Sequence, residues 1–173
     1  KTKITVSDTS ANIARNLDNL QKMVNNVSSV TLTDIANPIT LSATQLKRNS
    51  AILAKVSGNY SLNVNEVTAA NAATVAAKSN VAKIWVSDTS NAIADKLTAF
   101  KDIAKIQTIT QKGTIKALSL TAAELSANST VLAKISGGYT LDVSGANVTQ
   151  ALTYTANDKV KSVSILDTSA NVA

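Results

Sequence analysis

Lys83-Ile84-Trp85-Val86-Ser87-Asp88-Thr89-Ser90-Asn91-Ala92-Ile93 reads as a strand that hands over to a helix. From Lys83 to Ser87 apolar and polar side chains alternate, which is the period of a half-buried strand. Beyond Thr89 the spacing changes, and Ile93, Leu97, Phe100 and Ala104 fall on one helical stripe. The same passage occurs earlier as Lys3-Ile4-Thr5-Val6-Ser7-Asp8-Thr9-Ser10, followed by Ile13, Leu17, Leu20 and Val24. It begins a third time at Ser162-Val163-Ser164-Ile165 and runs on through Leu166-Asp167-Thr168-Ser169. The Asp residues stand 80 and then 79 positions apart. A fixed period of this kind points to a stacked, quasi-one-dimensional architecture.

Other landmarks keep step. Leu53-Ala54-Lys55-Val56-Ser57-Gly58-Asn59-Tyr60 returns as Leu132-Ala133-Lys134-Ile135-Ser136-Gly137-Gly138-Tyr139, offset by 79. Strand alternation also marks residues 29–33, 61–64, 108–110 and 140–143. Helical spacing returns over 43–56, with a copy carrying Leu125, Leu132 and Ile135. An Ala-rich segment over 67–78 has a degraded copy over 148–157. Each period thus holds three strand-plus-helix units of about 26–27 residues, within the range of coil-per-turn repeats.

The strands alternate rather than run continuously apolar. A parallel sheet covered on both faces would show the continuous pattern. The expected fold is therefore α/β: a strand–helix solenoid with one parallel sheet exposed on one face and about three coils per 80-residue repeat. Residues 1–173 are expected to form a single solenoid segment. It would comprise two tandem repeats, about 4–83 and 84–162, plus the start of a third over 163–173. The third copy breaks off at Val172-Ala173, so the chain reads as a window on a longer array. Segments 34–39 and 111–115 interrupt the pattern, and a hairpin and a bent strand both fit them.

Composition narrows the function. The chain is 45% hydrophobic but only 3% aromatic, so the core must be Ile, Val, Leu and Ala. There is no Cys and no His, and the net charge is +6 with the Lys residues scattered. No basic patch interleaved with aromatics appears, which argues against nucleic acid. No apolar run reaches the roughly 18 residues of a membrane span. General acid–base chemistry draws on His or paired carboxylates, and neither is offered, so no enzyme is expected and no catalytic residue is assigned.

The motifs read as structural. Asp8, Asp88 and Asp167 stand where strand gives way to helix, and an Asp there can cap the first free amides. Calcium is the competing reading, but it needs about six to eight oxygens, and each box offers one carboxylate. No cofactor or metal is assigned. Asn49 and Asn128 interrupt apolar helix patterns and read as caps of a second short helix in each. Ser42-Ala43-Thr44-Gln45 and Thr121-Ala122-Ala123-Glu124 have capping-box spacing. Glu66 and Glu124 read as helix starts, and Gly58 and Gly137 as helix ends. On the outward side of the strands stand Thr5, Thr31, Thr33, Thr108, Thr110 and Thr140, a row interrupted by Lys83, Trp85, Lys116 and Asp142. That interruption counts against an ordered-water face of the ice-binding kind. If Ile84 and Val86 point inward, Trp85 points out and can anchor a contact. The candidate contact face is Trp85, Thr31, Thr110 and Lys83.

The boxes at 6–13 and 86–93, with Ile39-Thr40-Leu41-Ser42-Ala43-Thr44-Gln45-Leu46 and the Leu-Ala-Lys-Val/Ile-Ser-Gly segments, resemble the degenerate repeats of very large secreted bacterial surface proteins. Adhesin-like proteins exported by type I systems are among them. The resemblance covers the whole chain and carries no catalytic residue across. It implies an extracellular or cell-surface location and a structural or adhesive role. Such proteins tend to be acidic, and this chain is basic. The expected function is a spacer or assembly unit of a filament, surface layer or stalk, with adjacent repeats or identical subunits as partners. The alternative is a module that binds a glycan or surface protein around Trp85.

Overall fold

A strand–helix repeat foretells strands that lie parallel, and their alternation foretells one buried face. Each strand pair described in the computed structural model, which covers residues 2–168 and Asn171, is parallel. The chain is α/β, built of parallel sheets with no closed barrel. It divides into two compact units. The first takes the residues up to Val86 together with Lys105–Gln107, and the second takes Ser87–Ala104 and the residues from Thr108 on. Ser169 and the Val172-Ala173 end lie outside the described residues.

The first unit contains β1 (Ile4–Asp8), α1 (Ser10–Lys22), β2 (Val27–Leu32), β3 (Ile39–Ser42), α2 (Ala43–Arg48) and α3 (Ser50–Leu53). It continues with β4 (Leu62–Val67), a 3-10 turn over Ala69–Asn71, α4 (Ala72–Ala76) and most of β5 (Val81–Asp88). β1 pairs with β2, and Val30 of β2 pairs on to Val56. β4 lies between β3 and β5. Consecutive strands β2 and β3 therefore belong to different sheets. The segment between them is a connecting turn, closed by the Asn37 amide donating to the Asp34 carbonyl at 2.8 Å, and is not a hairpin.

The second unit repeats this order. It holds α5 (Ser90–Phe100), most of β6 (Ile106–Gln111), β7 (Leu118–Thr121), α6 (Ala122–Ala127) and α7 (Ser129–Leu132). β8 (Ile135–Ser136), β9 (Leu141–Ala146), α8 (Val148–Thr155) and β10 (Val160–Ile165) follow. β9 lies between β7 and β10 as β4 lies between β3 and β5, and β8 lies beside β6.

The core is the inward set of the period-2 pattern. Ile39 and Leu41, Leu62, Val64 and Val67, and Val81, Ile84 and Val86 are all buried. The predicted helical stripes are buried too: in the first unit Ile13, Leu17 and Leu20 of α1, which lies against β3, and in the second Ile93, Leu97 and Phe100 of α5, which lies against β7. Each such side chain contributes about 1.5–3 kcal/mol through removal from water. The capping boxes form as their spacing foretells. Ser42 accepts from the Gln45 amide while Gln45 returns to the Ser42 amide, and Thr121 and Glu124 do the same.

Two differences between the units have local causes. The counterpart of α8 is a 3-10 turn running into the five-residue α4. α8 opens on a third capping box, Asn147 with Gln150, whereas Thr68 makes no side-chain cap bond, so the first turn tightens. The second difference is at a bulge. Ile84 pairs with Val64 and Val86 with Val67, so Asn65 and Glu66 together oppose Trp85. Glu66 takes φ +55 there, and Gly145 takes φ +68 at the equivalent place in β9. A left-handed residue suits Gly and strains Glu. Glu66 thus lies at a bulge, one residue before the end of β4, and does not start a helix. Gly58 and Gly137 are left-handed as expected, both at φ +81, but they lie past the helix ends. α3 and α7 are closed earlier by Ala54 and Ala133.

Candidate functional site

The sequence singles out three kinds of place: helix starts, the outward strand face, and the helix breaks. At the helix starts the structure corrects the assignment of Asp8 and Asp88. The N-caps are Thr9 and Thr89, whose hydroxyls accept from the Asn12 and Ala92 amides at 3.3 Å. Asp8 and Asp88 are the last residues of β1 and β5, one position too early to reach those amides. Their Oδ1 atoms instead accept from the Thr9 and Thr89 amides at 2.8 Å, and Asp8 also takes Asn12 Nδ2 at 2.7 Å. They brace the capping residue. Asp167 accepts from the Thr168 amide and Asn171 Nδ2 in the same manner, and its Oδ2 takes the amide of Val148, first residue of α8, at 3.0 Å. Its carboxylate thus serves a helix 19 residues earlier in the chain.

Asp34 does the same for α1, and no local sequence signal marks it. Its Oδ1 accepts from the amide of Ser10 at 2.6 Å, and the buried Ser10 hydroxyl lies 2.9 Å from the same oxygen. In the second unit no carboxylate stands there, and Ser90 Oγ accepts from the Lys116 amide at 3.0 Å.

Asn49 and Asn128 divide their helical segments in two, as their spacing foretells, and occupy the N-cap position of α3 and α7. Neither caps with its side chain, which corrects the assigned role. At ψ near 21 and 18 their backbones are not in the extended conformation of a cap, and their side chains turn inward to α1 and α5. Asn49 Nδ2 donates to Asp18 Oδ1 of α1 at 2.7 Å, and Asn128 Nδ2 to Thr98 Oγ1 of α5 at 3.1 Å. Both residues are fully buried, and the Oδ1 of each has no hydrogen-bond partner. They tie helix to helix.

Asp18, Asp34, Asp167 and Glu124 are held below the ordinary carboxylate pKa. For Asp18 the first cause is the Asn49 amide, then the Arg48 guanidinium, which grips both of its oxygens. For Asp34 it is the Ser10 amide, for Asp167 Asn171, and for Glu124 the Thr121 amide. A lowered folded-state pKa means the contribution is complete above the ordinary carboxylate value of about 4 and is lost as pH falls through the folded values. Urea midpoints are therefore expected to stay level from pH 7 to about 5 and to fall below about 4. Asp34→Asn should flatten that fall. A midpoint that declines equally in wild type and variant would exclude this role for Asp34.

On the outward face, Trp85 is half-buried between the buried Ile84 and Val86, and Lys83 is exposed on the same side of β5, beside Asn63. Thr31 is exposed on β2, in the other sheet of the first unit, beside Ser7. Thr110 belongs to the second unit, where its Oγ1 lies 2.9 Å from Ser136 Oγ. The candidate face therefore resolves into one close pair, Lys83 with Trp85, at the bulge, and two separately placed Thr residues.

A cleft that the sequence does not mark opens on the helix side of the first unit. It is lined by α2, α3, α4 and Tyr60, and its volume is about 630 Å3. Tyr60 donates from its hydroxyl to the Leu53 carbonyl at 3.0 Å, and burial raises its pKa, so the phenol stays neutral.

Among the described residues no group of three or more Asp, Glu, His or Cys side chains is placed to hold a metal ion. Nor is any helix among them long and apolar enough to cross a membrane. Comparison with protein-family models, with curated proteins and with solved structures returns no match.

Proposed function

We propose that this chain is a structural repeat segment in which strand–helix coils, three to each period of about 80 residues, stack to make a spacer or assembly unit of a bacterial extracellular or cell-surface protein. The observation that carries this reading is the equivalence of the two units at structural positions. Thr9 and Thr89 cap, Ser42 and Thr121 open capping boxes, Asn49 and Asn128 break helices, and Glu66 and Gly145 form bulges. What repeats is the set of residues that start and break helices and bend strands. The three passes of each period support the coil reading. β1, β2 and Val56 succeed one another in parallel, as do β3, β4 and β5.

In a stack of nearest-neighbour units, length grows by a constant increment per repeat and stability rises with repeat number. Chains carrying two, three and four copies of residues 4–83 joined in tandem test this. Small-angle scattering should give a maximum dimension that increases linearly with copy number, with a rising thermal midpoint. A dimension that grows only as the cube root of mass would remove the stacking reading. Surface location is tested on intact producing cells: the segment should be cleaved by added protease without lysis, and full protection until lysis would reject it.

The Lys83–Trp85 pair favours a second reading, recognition of a glycan or protein. Exposed aromatic surface beside a cation is a common anchor. Trp85→Ala should then abolish binding on a glycan array, and an array without signal for the unaltered chain removes this reading.

A further inference from the structure

The cleft in the first unit has a filled counterpart in the second. At an offset of 79, Val75 of α4 corresponds to Tyr154 of α8, and Ala43 of α2 to Ala122 of α6. Tyr154 spans that distance with its ring, and its hydroxyl lies 3.5 Å from the Ala122 carbonyl. In the first unit Val75 and Ala43 both line the cleft, and the shorter side chain leaves the space of a ring between them. The walls are apolar where a ring would lie, formed by Leu46, Leu53 and Val75. The cations Lys47 and Lys78 stand in the lining, and no carboxylate does. Both Lys residues are exposed.

We propose that this cleft binds a small aromatic carboxylate, its ring seated where the second unit seats the side chain of Tyr154 and its anionic group directed to Lys47 and Lys78. Burial of a ring against three aliphatic side chains supplies the affinity. The paired ammonium groups supply the preference for an anion, weakened by solvent because they are exposed.

The test is a titration of the 15N-labelled chain with 4-hydroxyphenylacetate, followed through backbone amide shifts. Saturable shifts confined to α2, α3, α4 and Tyr60 are expected, with a Kd on the order of 1 mM or tighter. Val75→Tyr fills the space from within and should abolish the shifts while keeping the folded spectrum. Should that variant fold poorly, Lys47→Glu with Lys78→Glu provides an independent check. Both positions are solvent-exposed, and the pair should weaken binding by about tenfold through charge reversal. The neutral probe 4-methylphenol should bind several-fold more weakly than the anion, and less so at high salt. The proposal is overturned by unsaturated or scattered shifts up to about 10 mM. Binding unchanged in the filled or charge-reversed variant, or equal affinity for 4-methylphenol, would overturn it as well.

Discussion

Asn49→Asp is expected to cost about 3–5 kcal/mol of folding stability at pH 7, the scale of an uncompensated buried charge. Asn49 is fully buried, and its Nδ2 donates to Asp18 at 2.7 Å. The substitution replaces that donor with a second carboxylate facing the first, and Asp18 already spends both oxygens on Arg48. Desolvation and like charge both push the pKa of the new carboxyl above its unfolded value. The penalty is therefore complete above the folded pKa and shrinks as pH falls toward it. The variant should recover part of its deficit between pH 7 and about 5, where the wild type stays level. Asn128→Asp provides the contrast, because no carboxylate faces it: its Nδ2 donates to the Glu124 carbonyl at 2.8 Å and to the Thr98 hydroxyl, which can turn to donate to a carboxylate. Urea unfolding of both variants at several pH values measures the difference. If Asn49→Asp proves no less stable than Asn128→Asp at pH 7, Asp18 does not act as the geometry implies.

Leu17→Ala and Leu97→Ala should each lose about 3 kcal/mol, within the range for a buried Leu truncated among packed neighbours. They occupy the same place on α1 and α5, with relative exposures of 0% and 1%. Each is central to a three-residue apolar stripe, and close-packed surroundings relax only in part around a removed side chain. Leu152→Ala on α8, where the side chain is 71% exposed, should stay within about 0.5 kcal/mol of wild type. Thermal or urea midpoints report all three. Losses of similar size at Leu97 and Leu152 would show that α5 is not held by its stripe.

The features legible in the sequence are local ones. Alternation over a few residues gives a strand face, and a spacing of three or four gives a helix stripe. Ser42 with Gln45 and Thr121 with Glu124 meet across three residues, so their boxes were legible at once. The assignment at Asp8 missed by one residue for a related reason. Asp8, Thr9 and Ser10 all carry oxygen acceptors, and the choice falls to whichever residue leaves the strand in extended conformation, here Thr9 at φ −71 and ψ 154.

Long-range partners were not legible. Asp34 reaches Ser10 across 24 residues, Asp167 reaches Val148 across 19, and Asn49 reaches Asp18 across 31. Nothing in the local pattern of any of them names its partner. The cleft was hidden for the same reason, since a Val in place of a Tyr is unremarkable until the opposite wall is known.

The amino-acid order alone was enough for an α/β chain with parallel strands, a period near 80 residues and the start and break of most helices, because propensity, alternation and capping act over one or two turns. Tertiary packing alone selected the sheet to which each strand belongs, the partners of Asp18, Asp34 and Asp167, and the site where a missing ring leaves room. Those depend on distances between residues tens of positions apart, which close only when the apolar faces are buried together.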